Sequence, residues 1–102
     1  MPRVLLLAPE AEEDLSAAHA WYEMQRPGLG SEFLAEVAHV FGVIELFPEQ
    51  HRVVRGATRR ALLHRFPYCV YYIFGNDLIS VTAVMHARRD PRRWEERGAV
   101  EL

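Results

Sequence analysis

Residues 68–74, with the sequence YCVYYIF, form an uninterrupted apolar run between Pro67 and the turn-forming triplet at 75–77. Seven residues are too few for a buried helix, and the aromatic and β-branched side chains favour a strand. Because a half-exposed strand alternates apolar and polar residues, a strand that is apolar on both sides must be covered on both faces. The run therefore predicts the central strand of a sheet. Its members Tyr68, Cys69, Tyr71 and Tyr72 are expected in the core rather than on a base-stacking surface.

Two further β-rich segments flank this run. Residues 59–66 precede it, and residues 78–85 follow it with a partial alternation of apolar and polar side chains. Pro67 separates the first pair of strands, and the triplet at 75–77 turns the chain between the second pair. The three segments predict an antiparallel meander.

The first half of the chain predicts one strand and two helices. Residues 4–7 are apolar and bounded by prolines, which indicates a buried strand. Over residues 9–26 apolar side chains recur at helical spacing behind an acidic first turn. A Pro-Gly turn at 27–30 follows, and Ser31 is the predicted N-cap of a second helix that ends at Pro48. The apolar stripe of this second helix is Phe33, Val37, Phe41 and Ile44.

With a polar loop over residues 48–58, these elements follow the order β-α-α-β-β-β. The fold class is α+β, with a helical hairpin packed on one face of an antiparallel sheet. At 102 residues the chain has the length of one domain, spanning residues 1–102. The predicted core comprises Phe33, Val37, Phe41, Val70, Tyr72, Val81 and Val84, with Phe41 expected to be fully buried.

The residue types exclude several classes of protein. The chain lacks an apolar stretch long enough for a signal sequence or a membrane span. A single cysteine, Cys69, cannot form an intramolecular disulfide or a cysteine-based zinc site. Four of the five histidines, His19, His39, His51 and His64, are not spaced along the sequence as metal ligands are. We therefore expect a cytoplasmic protein with no metal, no cofactor and no membrane association.

The net charge of −2 combines two unlike halves. Residues 1–50 carry nine acidic residues and two arginines, a net charge of −7, whereas residues 51–102 carry ten arginines and five acids, a net charge of +5. Every basic residue is an arginine. The planar guanidinium suits phosphate and carboxylate groups, so the second half favours an anionic partner, although solvated surface charge accounts for the same composition.

The arginines of the second half cluster on the predicted first meander strand and in the tail, HARRDPRRWEERGAVEL. The tail predicts a helical turn from Pro91 to Arg97 that stops at Gly98, with Trp94 as its anchor. If strand and tail share a face, the arginines form one functional patch, which contacts either a target or another partner protein. The alternative is ordinary pairing with the acidic helices. The candidate target-binding residues are Arg59, Arg60, Arg65, His86, Arg88, Arg89, Arg92, Arg93 and Trp94.

Three segments, WYEMQRPGLGSEFL, RFPYCVYYIF and AVMHARRDPRRW, together resemble the ParE/RelE toxin superfamily, and ParE-like plasmid-stabilisation proteins in particular. The resemblance covers nearly the whole chain. It implies an α+β toxin neutralised by a cognate antitoxin, with oligomers forming through that antitoxin. RelE-like members are ribosome-dependent RNases that cut mRNA, and ParE-like members poison DNA gyrase.

The RNase activity requires cations and an acid-base pair at defined positions. Where RelE-like enzymes have an arginine on the central strand, this sequence has Cys69. Where a second arginine follows the last strand it has Ala87, and the terminal tyrosine falls near Arg93 or Trp94. These departures favour the ParE-like activity.

Two alternatives stay open. In a ribosome-dependent mRNA endonuclease, His86 is the candidate general base and Arg88 and Arg89 are the candidate phosphate ligands. In an inactive interaction module, the fold persists without toxicity. A structural role for His86, in which it fixes the end of the last strand, is the simpler interpretation of that residue.

Overall fold

The computed structural model describes residues 3–99. The chain runs β1 (Val4–Leu7), α1 (Pro9–Gln25), α2 (Leu29–Leu46), β2 (Arg52–Arg55), β3 (Thr58–Leu62), β4 (Tyr68–Phe74), β5 (Leu78–His86) and α3 (Arg92–Glu95), with a final 3-10 turn at Arg97–Ala99. The predicted α+β class and helical hairpin are confirmed.

The five strands form one sheet in the order β1-β5-β4-β3-β2. β1 runs parallel to β5, and every other pair is antiparallel. β4 is therefore the middle strand, as its apolar sequence predicted. Residues 69–73 of this strand are buried.

The two faces of the sheet have separate cores. Helices α1 and α2 pack on one face, where Phe33, Ile44, Val70 and Tyr72 belong to the larger cluster. The smaller cluster lies on the far face, which α3 covers, and comprises Cys69, Tyr71, Ala83, Met85 and Trp94. The helical face and the far face are used below in this sense.

A β-bulge bends β5 next to the centre of the sheet. Tyr71 pairs with Ala83 and Tyr72 with Val81, so Thr82 is the extra residue. Its hydroxyl donates to the Tyr71 carbonyl oxygen at 3.3 Å. Bulges raise local twist and redirect the strand, and here the change comes where β5 passes beyond the end of β1.

Several predicted boundaries were wrong. β1 is an edge strand whose Val4 and Leu6 are 61% and 54% exposed, and is not buried. Helix α2 begins two residues before Ser31, with Gly28 at its N-cap at φ +89°, a left-handed conformation that glycine adopts without strain. The predicted loop over 48–58 contains β2, and β3 ends at Leu62 instead of residue 66.

Six of the seven predicted core residues are buried, and Phe41 is the exception. Phe41 packs against the core only in part, while Val40 is 7% exposed and occupies the buried position. The other predicted members of the helix α2 stripe, Phe33, Val37 and Ile44, are buried.

Candidate interaction site

A groove opens where the end of α1 meets the end of β5. It is a cleft of about 560 Å³ lined by Trp21, Tyr22, Pro67, Tyr68, His86, Arg88, Arg89 and Asp90. A second cavity of about 250 Å³ shares Trp21, Tyr68 and Arg89 with it and continues towards Asp14 and Arg93. We call the combined surface the Trp21 groove.

One wall of the groove is aromatic. Trp21 packs edge-on against Tyr22, with the ring centroids 5.1 Å apart, and is itself 56% exposed. Tyr68 contacts both Tyr22 and His86, at centroid distances of 5.9 and 5.7 Å. Burial raises the pKa of both tyrosine hydroxyls, so they stay neutral and able to donate hydrogen bonds. Met24, three residues further along α1, is 83% exposed.

The other wall is cationic and is held by the turn after β5. The backbone N–H of Ala87 donates to the Pro67 carbonyl at 2.8 Å, and that of Arg89 donates to the His86 carbonyl at 2.9 Å. The Arg88 N–H donates to His86 Nδ1 at 3.1 Å. His86 therefore fixes the strand end, with its Nδ1 serving as an acceptor.

The guanidinium groups of Arg88, Arg89 and Arg93 have no carboxylate within 4.0 Å among residues 3–99. Asp90, the acid that lines the groove, instead binds Arg92 at 2.8 Å, and this contact lowers the pKa of Asp90. The groove thus combines exposed apolar area with uncompensated positive charge, which suits an acidic surface that carries an apolar side chain.

The other candidate residues lie elsewhere, so the single predicted patch does not form. Arg59 donates to the carbonyls of Glu49 and His51 at 2.9 and 2.7 Å. Arg65 pairs with Glu32 at 2.8 Å, as expected for an arginine neutralised by an acidic helix. Arg60 faces away from the helices, opposite Tyr71. None of these three lines the groove.

Trp94 was predicted to contact the target, and its burial contradicts that role. It is 6% exposed and stacks on Tyr71, with the ring centroids 4.5 Å apart. It is the anchor of the tail, which was the other role predicted for it.

The position that a nuclease arginine occupies on the central strand is closed. Cys69 is fully buried in the far-face cluster with Tyr71, Ala83, Met85 and Trp94. Burial raises the pKa of the Cys69 thiol and that of Tyr71, the latter to about 12. Neither group is an acid or base of useful strength near neutral pH, and neither supplies a cation.

Residues 3–99 lack the features of two other kinds of site. No group of three or more histidine, cysteine, aspartate or glutamate side chains in that range lies close enough to hold a metal ion. No helix in the same part of the chain has the length and apolar character needed to cross a bilayer.

The aromatic wall was not predicted from the sequence. Trp21 stands outside the helical-spacing series of Ala11, Leu15, Ala18 and Tyr22. A large aromatic side chain on the polar side of an amphipathic helix is the signal that identifies such a position. The cleft that Trp21 lines together with Arg88 and Arg89 brings together residues more than 60 positions apart, which periodicity does not predict.

Comparison with known proteins places the fold and the family. Residues 5–91 match the family model described as the ParE toxin of the type II toxin-antitoxin system parDE. Among curated protein sequences, none matches the chain.

Two solved structures share the fold at low sequence identity. The chromosomal ParDE toxin-antitoxin system from P. aeruginosa aligns at 15% identity with a TM-score of 0.74, covering 82% of this chain and 95% of that one. The toxin-antitoxin complex RelBE2 from Mycobacterium tuberculosis aligns at 18% identity with a TM-score of 0.59, covering 84% of this chain and 99% of that one.

Proposed function

Because the chain belongs to the ParE toxin family of type II toxin-antitoxin systems, we propose that it is a toxin that binds and inhibits DNA gyrase and that a cognate antitoxin neutralises it. The alternative target is the ribosome with its mRNA, as in RelE-like toxins. The likeness to the RelBE2 complex concerns the fold, which both kinds of toxin share.

The burial of Cys69 in the far-face cluster that also contains Trp94 is the observation that carries the choice. RNA cleavage by a 2′-hydroxyl needs cations that stabilise the phosphorane and groups that move two protons. The centre of the far face offers Cys69, Ala83, Met85 and two stacked aromatic rings instead. A toxin with this surface acts by binding a partner protein.

The Trp21 groove is the proposed target-binding surface. Aromatic and arginine side chains are the residue types that contribute most to binding energy in protein interfaces. Here Trp21 and Tyr68 supply apolar area while Arg88, Arg89 and Arg93 supply charge without internal partners among the described residues. His86 acts as a structural residue of the rim, since its Nδ1 holds the turn.

The test compares two variants under induced expression. Arg88→Glu/Arg89→Glu should lose toxicity while keeping its fold, because exposed arginines add little to stability but steer and anchor an acidic surface. His86→Gln should stay toxic. The matched control is Arg26→Glu/Arg55→Glu, which makes the same charge change at exposed sites outside the groove and should stay toxic.

The readouts separate the two targets. We expect an induced DNA damage response, intact mRNA in vivo, and inhibition of supercoiling by purified gyrase that the Arg88→Glu/Arg89→Glu variant no longer shows. Codon-specific mRNA cuts that disappear in the His86→Gln variant, with a rate loss of about 10² to 10⁴, would establish the endonuclease instead. Normal growth under strong expression of soluble protein would indicate the inactive module.

A further inference from the structure

The two cavities of the Trp21 groove differ in character and meet at shared residues. The larger, of about 560 Å³, is bordered by the exposed indole of Trp21 and has the volume of a small-molecule site, which is about 300–1,000 Å³. The smaller, of about 250 Å³, is lined by the buried Val84 and Met85 and therefore lies deeper in the protein. Trp21, Tyr68 and Arg89 line both cavities, so one ligand can occupy the two together.

The smaller cavity presents cations and a hydrogen-bond donor that have no internal partner. Arg89 and Arg93 line it, and neither guanidinium has a carboxylate within 4.0 Å among residues 3–99. Burial raises the pKa of Tyr68 and the charge of Arg89 acts against that rise, so the Tyr68 hydroxyl is a neutral donor near a cation. In the described part of the chain it donates to no acceptor, whereas the Tyr72 hydroxyl donates to a backbone carbonyl at 2.6 Å.

The acids of the groove have partners of their own. Asp14, which lines the smaller cavity, accepts hydrogen bonds from Arg97 at 2.6 Å and from the Val84 N–H at 3.0 Å. Asp90, which lines the larger cavity, binds Arg92 at 2.8 Å. The arginines that line the groove therefore stay available to an anionic ligand.

We propose that the groove binds a nucleoside monophosphate, with the phosphate in the smaller cavity and the base against Trp21. A phosphate monoester carries about two negative charges near neutral pH and three strong acceptor oxygens. These match two guanidinium groups and one hydroxyl, those of Arg89, Arg93 and Tyr68. Every nucleobase has a π face that stacks on an aromatic side chain. A carboxylate side chain offers one charge and no planar ring of this kind, so it fits the two cavities less completely.

The depth of the smaller cavity favours a mononucleotide over a nucleic-acid chain. A phosphodiester carries one charge and continues as chain on both sides of the phosphate. A cavity backed by the buried Val84 and Met85 instead suits a group that ends inside it. The site also lies between α1 and the end of β5, and no residue of the β2–β3 hairpin lines it.

The test is isothermal titration calorimetry of the purified chain with AMP and with GMP. The parent should show saturable one-to-one binding. Arg89→Gln/Arg93→Gln should weaken it about a hundredfold, because each charge-assisted hydrogen bond contributes about tenfold. Trp21→Ala should weaken it about tenfold through the loss of stacking. The matched control, Arg26→Gln/Arg55→Gln, changes two exposed arginines outside the groove and should bind like the parent.

Tryptophan fluorescence locates the base independently of any substitution. The chain has two tryptophans, and Trp94 is buried on the far face. Quenching by AMP should therefore come from Trp21. Adenosine and inorganic phosphate, each added alone, should bind more weakly than AMP because each fills one cavity only.

Four results would overturn the assignment. These are the absence of saturation by AMP or GMP below about 1 mM, unchanged binding in Arg89→Gln/Arg93→Gln, phosphate binding as tight as AMP binding, and tighter binding of a short oligothymidine than of AMP. The third would indicate a site for a free anion, and the fourth would indicate a site for a nucleic-acid chain. Circular dichroism of each variant ensures that a loss of binding reflects the site and not the fold.

A consequence for the target rests on the function proposed above. If gyrase and the nucleotide share the groove, saturating AMP should relieve the inhibition of supercoiling by the chain. AMP binding without relief would support the nucleotide site and contradict the groove as the gyrase surface. A chain that does not inhibit gyrase at all would contradict the proposed target, while the calorimetry, which contains no gyrase, would still decide the nucleotide site.

Discussion

Asp14 and Arg97 form an ion pair that joins α1 to the tail across the edge of β5. The Arg97 guanidinium donates to Asp14 Oδ2 at 2.6 Å and to the Thr82 carbonyl at 3.2 Å, while the Val84 N–H donates to the same carboxylate oxygen at 3.0 Å. The side chain of Arg97 is only 22% exposed and that of Asp14 only 17%. They satisfy the backbone groups of β5 where β1 has ended.

Arg97→Leu should therefore destabilise the domain by about 2–3 kcal/mol, because it leaves a half-buried carboxylate and a carbonyl oxygen without their partner. Urea unfolding measures the loss. Arg92→Leu, which breaks an exposed pair with Asp90, should have a much smaller effect. Equal losses in the two variants would mean that burial of the Asp14 pair adds nothing.

Glu23 is a second residue whose role depends on a distant turn. Its carboxylate accepts the N–H groups of Gly28 and Gly30 at 3.2 and 2.8 Å, so a side chain from α1 caps the start of α2. These hydrogen bonds lower its pKa below the ordinary value of 4.5, with the Gly28 bond as the largest cause.

The sign of the pH dependence follows from that shift. A carboxyl group with a lowered folded-state pKa stabilises the fold above its unfolded pKa, and the contribution is lost as the pH falls through the folded value. Glu23→Gln should lower the Tm at pH 7 and reduce the loss of Tm between about pH 5 and pH 3. Thermal unfolding at both ends of that window, with Glu13→Gln as the exposed control, checks this. A parent and a Glu23→Gln variant with parallel pH profiles would rule it out.

At the scale of elements, helix α2 shows how a stripe is misassigned. Phe33, Val37 and Ile44 are buried, but the position between the last two is Val40 instead of the predicted Phe41. At about 100° per residue, eight steps from Phe33 leave a side chain 80° off the buried direction, whereas seven steps leave it only 20° off. Phe41 was assigned to the buried stripe because it is the larger apolar residue, but the helical period places Val40 there.

Ile44→Ala should therefore lower the free energy of unfolding by about 2–5 kcal/mol. Phe41→Ala should lower it by about half as much, since Phe41 already contacts water in the folded state. Urea unfolding of the two variants gives the comparison. A loss for Phe41→Ala that exceeds the loss for Ile44→Ala would restore the earlier assignment.

The strands were predictable to different degrees for a physical reason. β4 and the turn after it were predicted in full, because an apolar run must be buried wherever it lies. β2 was missed because its sequence, RVVR, is mostly exposed and pairs on one side only. β3 stops short of residue 66 because the Glu36 carboxylate on α2 accepts hydrogen bonds from the backbone N–H groups of His64 and Arg65. Glu36 is separated from these two residues by 28 and 29 positions in the sequence.

At the scale of the whole molecule, the candidate site is half predictable. The cationic rim follows the last strand in sequence, so His86, Arg88 and Arg89 were found together. The aromatic wall comes from α1 and meets the rim only after the sheet has formed. Arg59, Arg60 and Arg65 were expected at the rim because strand and tail were taken to share a face. Instead, Arg59 and Arg60 point to opposite faces of the sheet because side chains alternate along β3. Arg65 lies beyond the end of that strand, where it pairs with Glu32.

The geometry of the groove leads to a prediction about Trp21. This side chain is 56% exposed and contacts Tyr22 by its edge, so Trp21→Ala should leave the domain folded. An exposed tryptophan between a tyrosine and uncompensated arginines has the character of a binding hot spot, whose truncation typically costs 2 kcal/mol or more, or about thirtyfold in affinity. If the groove binds the target, Trp21→Ala should lose toxicity. The control is Leu46→Ala, which removes an apolar side chain that is 63% exposed outside the groove and should stay toxic.

Coexpression with the antitoxin distinguishes the two partners that the groove suits. A Trp21→Ala variant that is harmless alone and still copurifies with the antitoxin assigns the groove to the target, and that is the result we expect. A variant that remains toxic alone and escapes neutralisation assigns the groove to the antitoxin, because only the masking contact has then been lost. Loss of both properties would mean that the two partners compete for Trp21, and neutralisation would then act by direct occlusion of the target-binding surface.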